Sequence, residues 1–333
     1  MRRTVTILAV VAALLAVAAA PAAAASGPNA RLGSWSRPGV VTTFNPGANG
    51  AFCESLAADR AGHLFASVTV WGQASNTGQI WRIAPSGHKT LAATCDLGAT
   101  GMLSGLAFDA RGRLYVGWVD FADSSVAKPG VARLAPGGTL KRVVTLPGSS
   151  FPNGLAFHNG RLYISDSTLG AIWRVLPGRL QTPSRPWLQN ALLKPATASG
   201  LGANGIAFWR NSLIVAVSDE GRIVRVALRA NGSARAPVVV TQKPDLVSVD
   251  GIAFDVHGGL WLVTNTNGLL RLGPRGALSD VENNPGWLDY PTQPVFGTTP
   301  GMRAMLYIAN GSFNNGTPNI LALNVGVRGL PLW

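Results

Sequence analysis

Five residues suited to binding a cation or acting on a substrate recur along the chain at nearly equal intervals. Each opens a short phrase related to Asn-Gly-Leu-Ala-Phe, and the five opening residues are Glu54, Ser104, Asn153, Asn204 and Asp250. The phrases are separated by 50, 49, 51 and 46 positions (104−54, 153−104, 204−153 and 250−204). Because a repeat places equivalent residues at equivalent positions, we expect these side chains to converge on one point.

The chemistry that this set favours is coordination of a hard divalent cation. Carboxylates from Glu54 and Asp250 and amide carbonyls from Asn153 and Asn204 form an all-oxygen set with two negative charges. Ca²⁺ accepts irregular oxygen cages, whereas Mg²⁺ demands stricter octahedral geometry, and Zn²⁺ is disfavoured because no His or Cys accompanies the set. A single Asn or Asp before Gly often only shapes a turn, but a polar residue at one position of five repeats favours a binding site.

The elements that must position these residues are the strands of a repeated meander. Each phrase leads through a Gly- or Asn-containing turn into a second strand, then a third, and in several units a weaker fourth. A degenerate sixth unit supplies Leu306–Asn310 and Asn319–Leu323 as its second and third strands, and Gly39–Phe44 is expected to add its outer strand and close the ring. We therefore predict an all-β fold, a six-bladed β-propeller of four-stranded blades, as a single domain over residues 26–333.

The first 25 residues are predicted to be a cleaved secretory signal. Arg2 and Arg3 form a positive start, Val5–Ala20 is apolar, and Ala22–Ala25 is a small-residue cleavage site. A membrane anchor is the alternative, but the apolar run is short, rich in Ala and followed at once by Pro21. We expect a secreted protein, extracellular or periplasmic, with no membrane attachment after cleavage.

Export makes the two cysteines candidates for a disulfide. An oxidising compartment and the absence of a third thiol favour a Cys53–Cys95 bridge. The alternative is a pair of buried free thiols.

The charge and composition of the chain favour a turn-rich β fold and argue against a nucleic-acid partner. Only 13% of the residues are charged, whereas 40 Gly and 22 Pro suit a turn-rich β fold. The net charge is +13, but the basic residues are scattered singly and do not form the clustered patch that nucleic acids require. We expect no nucleic-acid partner, a monomeric state, and a small-molecule substrate.

Two segments carry a resemblance to a known family. Phe151-Pro-Asn153-Gly-Leu-Ala-Phe and Val249-Asp250-Gly-Ile-Ala-Phe-Asp resemble the senescence-marker-protein-30/gluconolactonase family of six-bladed propellers. The resemblance covers about residues 50–272, and strictosidine-synthase-like and NHL-repeat propellers carry related phrases. Calcium-binding members use a Glu from blade one, Asn from two middle blades and an Asp from blade five. By position these fall on the four residues already selected, Glu54, Asn153, Asn204 and Asp250.

The resemblance implies a Ca²⁺-dependent hydrolase of lactones or similar esters. Asp250 is the expected catalytic residue, as base or as nucleophile, and the cation would polarise the substrate carbonyl. Phe151 replaces the Arg with which sugar-lactone-hydrolysing relatives grip substrate hydroxyls, so a sugar substrate is not indicated. Phe151, Phe52 and Met302 are instead predicted to make the channel mouth apolar, and Ser104 marks a gap in the ligand ring where substrate enters. The alternatives are a non-catalytic binding propeller with a structural cation, and a propeller that catalyses a condensation.

Overall fold

Six four-stranded antiparallel sheets make up the protein, as the β-rich sequence predicts. The computed structural model describes residues 38–121, 128–266, 268–283, 286–313 and 316–331. The predicted signal segment, residues 1–25, lies outside the described residues. Within them, no helix is long and apolar enough to cross a membrane.

The sheets follow one another along the chain as six blades of a propeller, each beginning with its innermost strand. Blades one to three are β2 (Ala51–Ala58), β3 (Leu64–Val70), β4 (Thr77–Ile83) and β5 (Lys89–Asp96); β6 (Gly101–Phe108), β7 (Leu114–Asp120), β8 (Gly130–Ala135) and β9 (Thr139–Thr145); and β10 (Pro152–His158), β11 (Arg161–Asp166), β12 (Ala171–Val175) and β13 (Leu188–Gln189). Blades four and five are β14 (Ala203–Trp209), β15 (Ser212–Val217), β16 (Arg222–Ala227) and β17 (Val238–Gln242); and β18 (Val249–Phe254), β19 (Leu260–Thr264), β20 (Gly268–Leu272) and β21 (Leu278–Asn283). Blade six is β22 (Pro291–Phe296), β23 (Met305–Asn310), β24 (Asn319–Asn324) and β1 (Gly39–Thr43), and short 3-10 helices lie at Ala191–Leu193, Pro244–Leu246 and Pro300–Met302.

The ring closes through the sixth blade, where the first strand of the chain pairs with the last. β1 runs antiparallel to β24, with Gly39 opposite Ala322 and Thr43 opposite Asn319. This confirms the closure expected from Gly39–Phe44. The inner strand of this blade, β22, is not evident from the sequence because its residues Pro-Thr-Gln-Pro-Val-Phe lack the repeated phrase. Proline is tolerated there because the innermost strand of a blade has an unpaired edge facing the channel.

The hydrophobic core consists of separate layers between neighbouring blades. Six clusters of buried side chains each combine residues of two adjacent sheets. In the layer between blades one and two, for example, Phe65 and Ile80 pack with Leu103 and Val116. The Leu/Ile, Ala and Phe positions of the phrase belong to these layers, so this part of the phrase specifies packing between blades.

The aspartates that end the phrase in blades one, two and five organise the hairpins at the far end of the inner strands. In blade five, Asp255 Oδ1 accepts hydrogen bonds from the backbone N–H groups of His257 and Gly259, at 2.9 and 2.8 Å. Asp109 accepts equivalent bonds from Arg111 and Arg113, both at 2.9 Å. These residues therefore fix turns.

The predicted disulfide is not formed, and this prediction was wrong. Both cysteines are free, with Cys53 on the innermost strand β2 and Cys95 on the outermost strand β5 of the same sheet. Three strand spacings separate them, which amounts to about 14 Å. A disulfide requires Cα atoms roughly 4.4–6.8 Å apart. Burial raises the pKa of Cys95 to about 11 and also raises the pKa of Cys53, so both thiols stay protonated at neutral pH.

Candidate functional site

The repeated opening residues lie on irregularities of the six inner strands. Each inner strand carries one extra residue relative to its partner strand, which is a β-bulge, and the bulge falls at the opening residue of the phrase. Bulges re-aim side chains out of the regular pleat. Successive inner strands also contact one another around the channel. The six residues at the bulges are Glu54, Ser104, Asn153, Asn204, Asp250 and Thr292, and we call them the ring residues.

Thr292 is the ring member that sequence reasoning missed. It lies 42 positions after Asp250 (292−250) in β22, which carries a degenerate phrase. The surviving signal is Phe296, four residues after Thr292, as Phe254 is four residues after Asp250.

The glycine that follows four of the ring residues lets neighbouring inner strands approach closely. A Cβ atom on Gly154 would lie 2.6 Å from the carbonyl oxygen of Asn204, and one on Gly205 would overlap the carbonyl oxygen of Asp250. Because a methyl group does not fit there, only glycine permits this contact. The Gly of the phrase therefore brings ring residues of adjacent blades side by side.

The two ring asparagines are oriented by serines that also join adjacent blades. Asn204 Nδ2 donates to Ser218 Oγ at 2.9 Å, and Ser218 Oγ donates to the carbonyl of Val249, the residue before Asp250, at 2.6 Å. Asn153 is held in the same way by Ser167, whose hydroxyl donates to the carbonyl of Ala203 at 2.7 Å. Since each amide nitrogen is engaged by a serine, each amide oxygen is the group left to serve as a ligand.

Asp250 is held by Asn265, the residue that directly follows the second strand of its own blade. Asn265 Nδ2 donates to Asp250 Oδ2 at 2.9 Å and to the carbonyl of Pro291 at 3.2 Å. Burial raises the pKa of Asp250 to about 7, although hydrogen bonds from Asn265 and Asn204 act in the opposite direction. The contact with Asn204 shows that the ring residues of blades four and five are direct neighbours.

Glu54 shares the electrostatic environment of Asp250. Burial, and then the negative charge of Asp250, raise the pKa of Glu54 well above its usual range. The exposed fractions of the four predicted ligands are 8% for Glu54, 4% for Asn153, 2% for Asn204 and 7% for Asp250. The structure thus brings two buried carboxylates together with two buried amides at one end of the channel.

The donor set fits a hard divalent cation. Among the described residues, neither Glu54 nor Asp250 forms an ion pair with a basic side chain. Two buried carboxylates without a cation are strongly destabilising, and one divalent cation would balance their charge. Among the described residues, no cluster of three or more His, Cys, Asp or Glu side chains could hold a metal ion by itself. The amide oxygens are therefore needed to complete the set of ligands. An all-oxygen set of this kind suits Ca²⁺.

The other two ring residues have a different role, since their hydroxyls form hydrogen bonds to backbone carbonyls of the next blade. Ser104 Oγ donates to the carbonyl of Pro152 at 2.6 Å, and Thr292 Oγ1 donates to the carbonyl of Cys53 at 2.9 Å. Each accepting residue immediately precedes the next ring residue. Ser104 is fully buried in this arrangement. The structure therefore places it between blades two and three, and not on the surface of the mouth where substrate was expected to enter.

The channel mouth above the ring is apolar and aromatic, as expected from Phe52 and Phe151. Phe52, Met102, Phe151 and Tyr290 lie two residues before ring residues and, with Val119, form one buried cluster, the mouth cluster. Phe52 and Tyr290 pack at 5.8 Å between ring centroids. Burial and then the negative charges of Asp250 and Glu54 raise the pKa of Tyr290, so its hydroxyl lies within electrostatic range of both carboxylates.

Met302 does not lie at this mouth, contrary to the sequence-based prediction. It belongs to the 3-10 helix Pro300–Met302, in the turn between β22 and β23. The hydroxyl of Thr298 in the same turn donates to the carbonyl of Asp59, in the first hairpin of blade one. Met302 therefore lies at the opposite end of the channel; Met102 and Tyr290 occupy the mouth, and neither was selected from the sequence.

A buried hydroxyl without a hydrogen-bond partner among the described residues belongs to Ser248, close to Asp250 in the chain. Ser248, two residues before Asp250, has a left-handed backbone with a φ of 66°, and no hydrogen-bond partner of its Oγ exists among the described residues. Tyr290 adopts the same conformation two residues before Thr292, with a φ of 56°. Strained backbone and unsatisfied buried polar groups are concentrated at binding sites.

Comparison with solved structures supports the propeller fold. The chain is similar to an oxidoreductase from Thermus thermophilus that is provisionally assigned as a glucose dehydrogenase, with 19% identity and a TM-score of 0.58 over 87% of this chain and 100% of that one. It is also similar to a protein from Bacteroides uniformis provisionally assigned as a 6-phosphogluconolactonase, with 14% identity and a TM-score of 0.51 over 74% of this chain and 73% of that one. No protein-family model and no curated protein match the sequence. At these identities the likeness establishes the shared fold.

Proposed function

We propose that the protein is a secreted Ca²⁺-dependent hydrolase of the lactonase or esterase type, with the ion held by Glu54, Asn153, Asn204 and Asp250. The observation that carries this proposal is the pair of buried carboxylates that lack a basic partner among the described residues. The serine-fixed amides beside them supply the remaining oxygens. The resemblance to the senescence-marker-protein-30/gluconolactonase family and the fold shared with a protein assigned as a 6-phosphogluconolactonase are consistent with this chemistry.

Different residues of the ring would bind the cation, move a proton and hold the site in place around a bound ester. A calcium ion at the ring would polarise the substrate carbonyl and stabilise charge on its oxygen. Because Asn265 holds Oδ2 of Asp250, Oδ1 is the atom that would accept a proton from the attacking water, or attack the carbonyl carbon itself. Asn153 and Asn204, locked by Ser167 and Ser218, would keep their geometry during the reaction.

The mouth cluster indicates the class of ester. Phe52, Met102, Phe151 and Tyr290 surround the approach to the ring with apolar surface. Burial of an apolar group there is favourable by about 25 cal/mol for each Å² removed from water. A lactone or ester with an aliphatic or aromatic body is therefore the favoured substrate over a sugar or a phosphorylated sugar.

The test is hydrolysis of γ-decalactone, dihydrocoumarin, gluconolactone and 6-phosphogluconolactone with Ca²⁺ and with chelator. We expect turnover of the apolar lactones, its loss in chelator, and a fall in kcat/KM of at least about 100-fold in Asp250→Asn. The matched control is Asp245→Asn, an exposed acid five residues away, which should keep full activity. Turnover that survives both the chelator and Asp250→Asn would contradict the proposal.

A second function is favoured by the burial of the ring. All four proposed ligands are less than one-tenth exposed, beneath aromatic side chains, so an ion there could tie blades one, three, four and five together without meeting substrate. The protein would then be a non-catalytic extracellular binding propeller. Thermal stabilisation by Ca²⁺ without turnover of any ester in the panel would establish this alternative.

A further inference from the structure

A cavity of about 400 Å³ occupies the other half of the central channel, between the ring and the far hairpins. Its lining comes from all six inner strands and is mostly apolar, with Phe208, Phe254 and Phe296 among the larger side chains. The exposed turn residues Asn159 and Arg210 also line it, so the cavity opens to solvent at the hairpin end. Small-molecule sites are typically apolar cavities of roughly 300–1,000 Å³ with a few placed polar groups.

Arg210 is the one cationic side chain among the described residues that line the cavity, apart from the ionisable ring of His158. It occupies the left-handed backbone region with a φ of 53°, at the hairpin position where blade three has Asn159 with a φ of 49°. Asn tolerates this conformation, whereas most other residues, Arg included, are destabilised in it. A long cation held in an unfavourable backbone conformation at a cavity opening favours a binding role for this side chain.

The acidic groups at the hairpin end are already engaged and would not compete for Arg210. Asp255 Oδ2 lies 2.7 Å from Arg271 Nη2, and Asp109 Oδ2 lies 2.6 Å from Arg113 Nε. Asp59 accepts two backbone N–H groups and lies 2.9 Å from His63 Nδ1. The opening therefore combines an apolar interior with a positive group at the rim.

We propose that this cavity is a second binding site, for an amphipathic monocarboxylate with its apolar body inside the channel and its carboxylate at Arg210. The apolar lining selects the body of the ligand, and the guanidinium selects the anionic group. The site does not depend on the proposed function, because it is lined by the segments that follow the ring residues along the inner strands and contains none of the proposed calcium ligands.

The test is titration calorimetry of the full chain with decanoate and with decan-1-ol, in chelator. We expect decanoate to bind, Arg210→Gln to weaken its binding about tenfold, and binding of decan-1-ol to change less than about twofold. Arg161→Gln is the matched control, since Arg161 begins the second strand of the neighbouring blade and does not line the cavity. It should leave both affinities unchanged.

A second variant tests whether the apolar lining of the cavity holds the body of the ligand. Ala207→Leu adds bulk to the lining and should abolish binding of both ligands in protein that still unfolds cooperatively. If that variant fails to fold, the exposed Arg210→Gln carries the test. The proposal is overturned if wild-type protein binds no decanoate, if Arg210→Gln binds it as tightly as wild type, or if Asp250→Asn removes the binding. That last outcome would place the ligand at the ring.

Discussion

Carboxylates at the two ends of the central channel have opposite surroundings. At the ring, Glu54 and Asp250 are buried close to each other and have no basic partner among the described residues. At the hairpin end, Asp255 is fully buried, but it accepts hydrogen bonds from Arg271, Trp261 and backbone N–H groups. Burial alone would raise the pKa of Asp255, and these bonds outweigh it and lower the pKa.

This difference separates groups that build the fold from groups that await a ligand. A buried acid with its own arginine completes its charge balance within the chain. A buried carboxylate pair without a cation is destabilising when ionised, so either protonation or a bound cation must remove its charge. The same reasoning assigns structure to the hairpin aspartates and binding to the ring.

The largest expected effect is on the contact between ring residues. Gly205→Ala would drive a methyl group into the carbonyl oxygen of Asp250, and we expect a loss of about 3 kcal/mol in the free energy of unfolding together with the loss of Ca²⁺ binding. Gly160→Ala is the matched control at the hairpin end, where nothing lies within 4 Å of the new Cβ. With a φ of 70°, it should cost only about 1 kcal/mol. Equal losses in chemical denaturation of the two variants would contradict the difference between the two ends.

The pH dependence of stability should reverse between the two ends. Without Ca²⁺, folded protein keeps the proton on Asp250 up to about pH 7, whereas the unfolded chain releases it near the ordinary pKa of 3.8. The unfolded state therefore binds fewer protons, and the free energy of unfolding should fall as the pH rises from about 4 to about 7. Asp109 and Asp255, whose pKa values are lowered, contribute stability that is lost only below this window.

Calcium should offset the loss of stability that ionisation of the ring carboxylates causes. At about 100 times its Kd, Ca²⁺ should add about 2.7 kcal/mol at about pH 8, and much less at about pH 4, where protons compete for the carboxylates. Denaturant titrations at each pH with Ca²⁺ and with chelator measure both effects. Asp250→Asn should flatten the dependence on pH across this window, and an unchanged slope in that variant would show that the ring carboxylates are not its source.

The smallest expected effect separates two serines that each form a bond between blades. Ser218→Ala and Ser104→Ala should each lower the free energy of unfolding by about 1 kcal/mol through the lost hydrogen bond. Only Ser218 also holds a proposed ligand, Asn204, so Ser218→Ala should weaken Ca²⁺ binding at least about tenfold. Ser104→Ala should leave it within about twofold. Calcium titration of the two variants decides this, and equal affinities would show that the serine does not orient the amide.

Much of the molecule follows from the spacing of one phrase. A period of 46–51 residues with turn residues between short apolar runs predicted six blades, and the pairing of β1 with β24 confirmed the predicted closure. Position in the repeat also selected Glu54, Asn153, Asn204 and Asp250, because equivalent positions in a symmetric fold face the same axis. Local periodicity was sufficient for these predictions since each blade pairs mainly with its own strands.

Contacts between blades, by contrast, could only be read from the tertiary structure. The repeat does not show that Ser104 turns to Pro152, because that hydrogen bond joins residues 48 positions apart. Nor does a pair of cysteines reveal that three strand spacings separate them. The position of Met302 was predicted wrongly because β22 carries only a degenerate form of the phrase, so the sequence does not show where the inner strand of blade six begins and ends. The pairing of β22 with β23 sets that register. The repeated sequence determined the blades and the position of the ring, and the packing between blades decided which ring side chains face the axis.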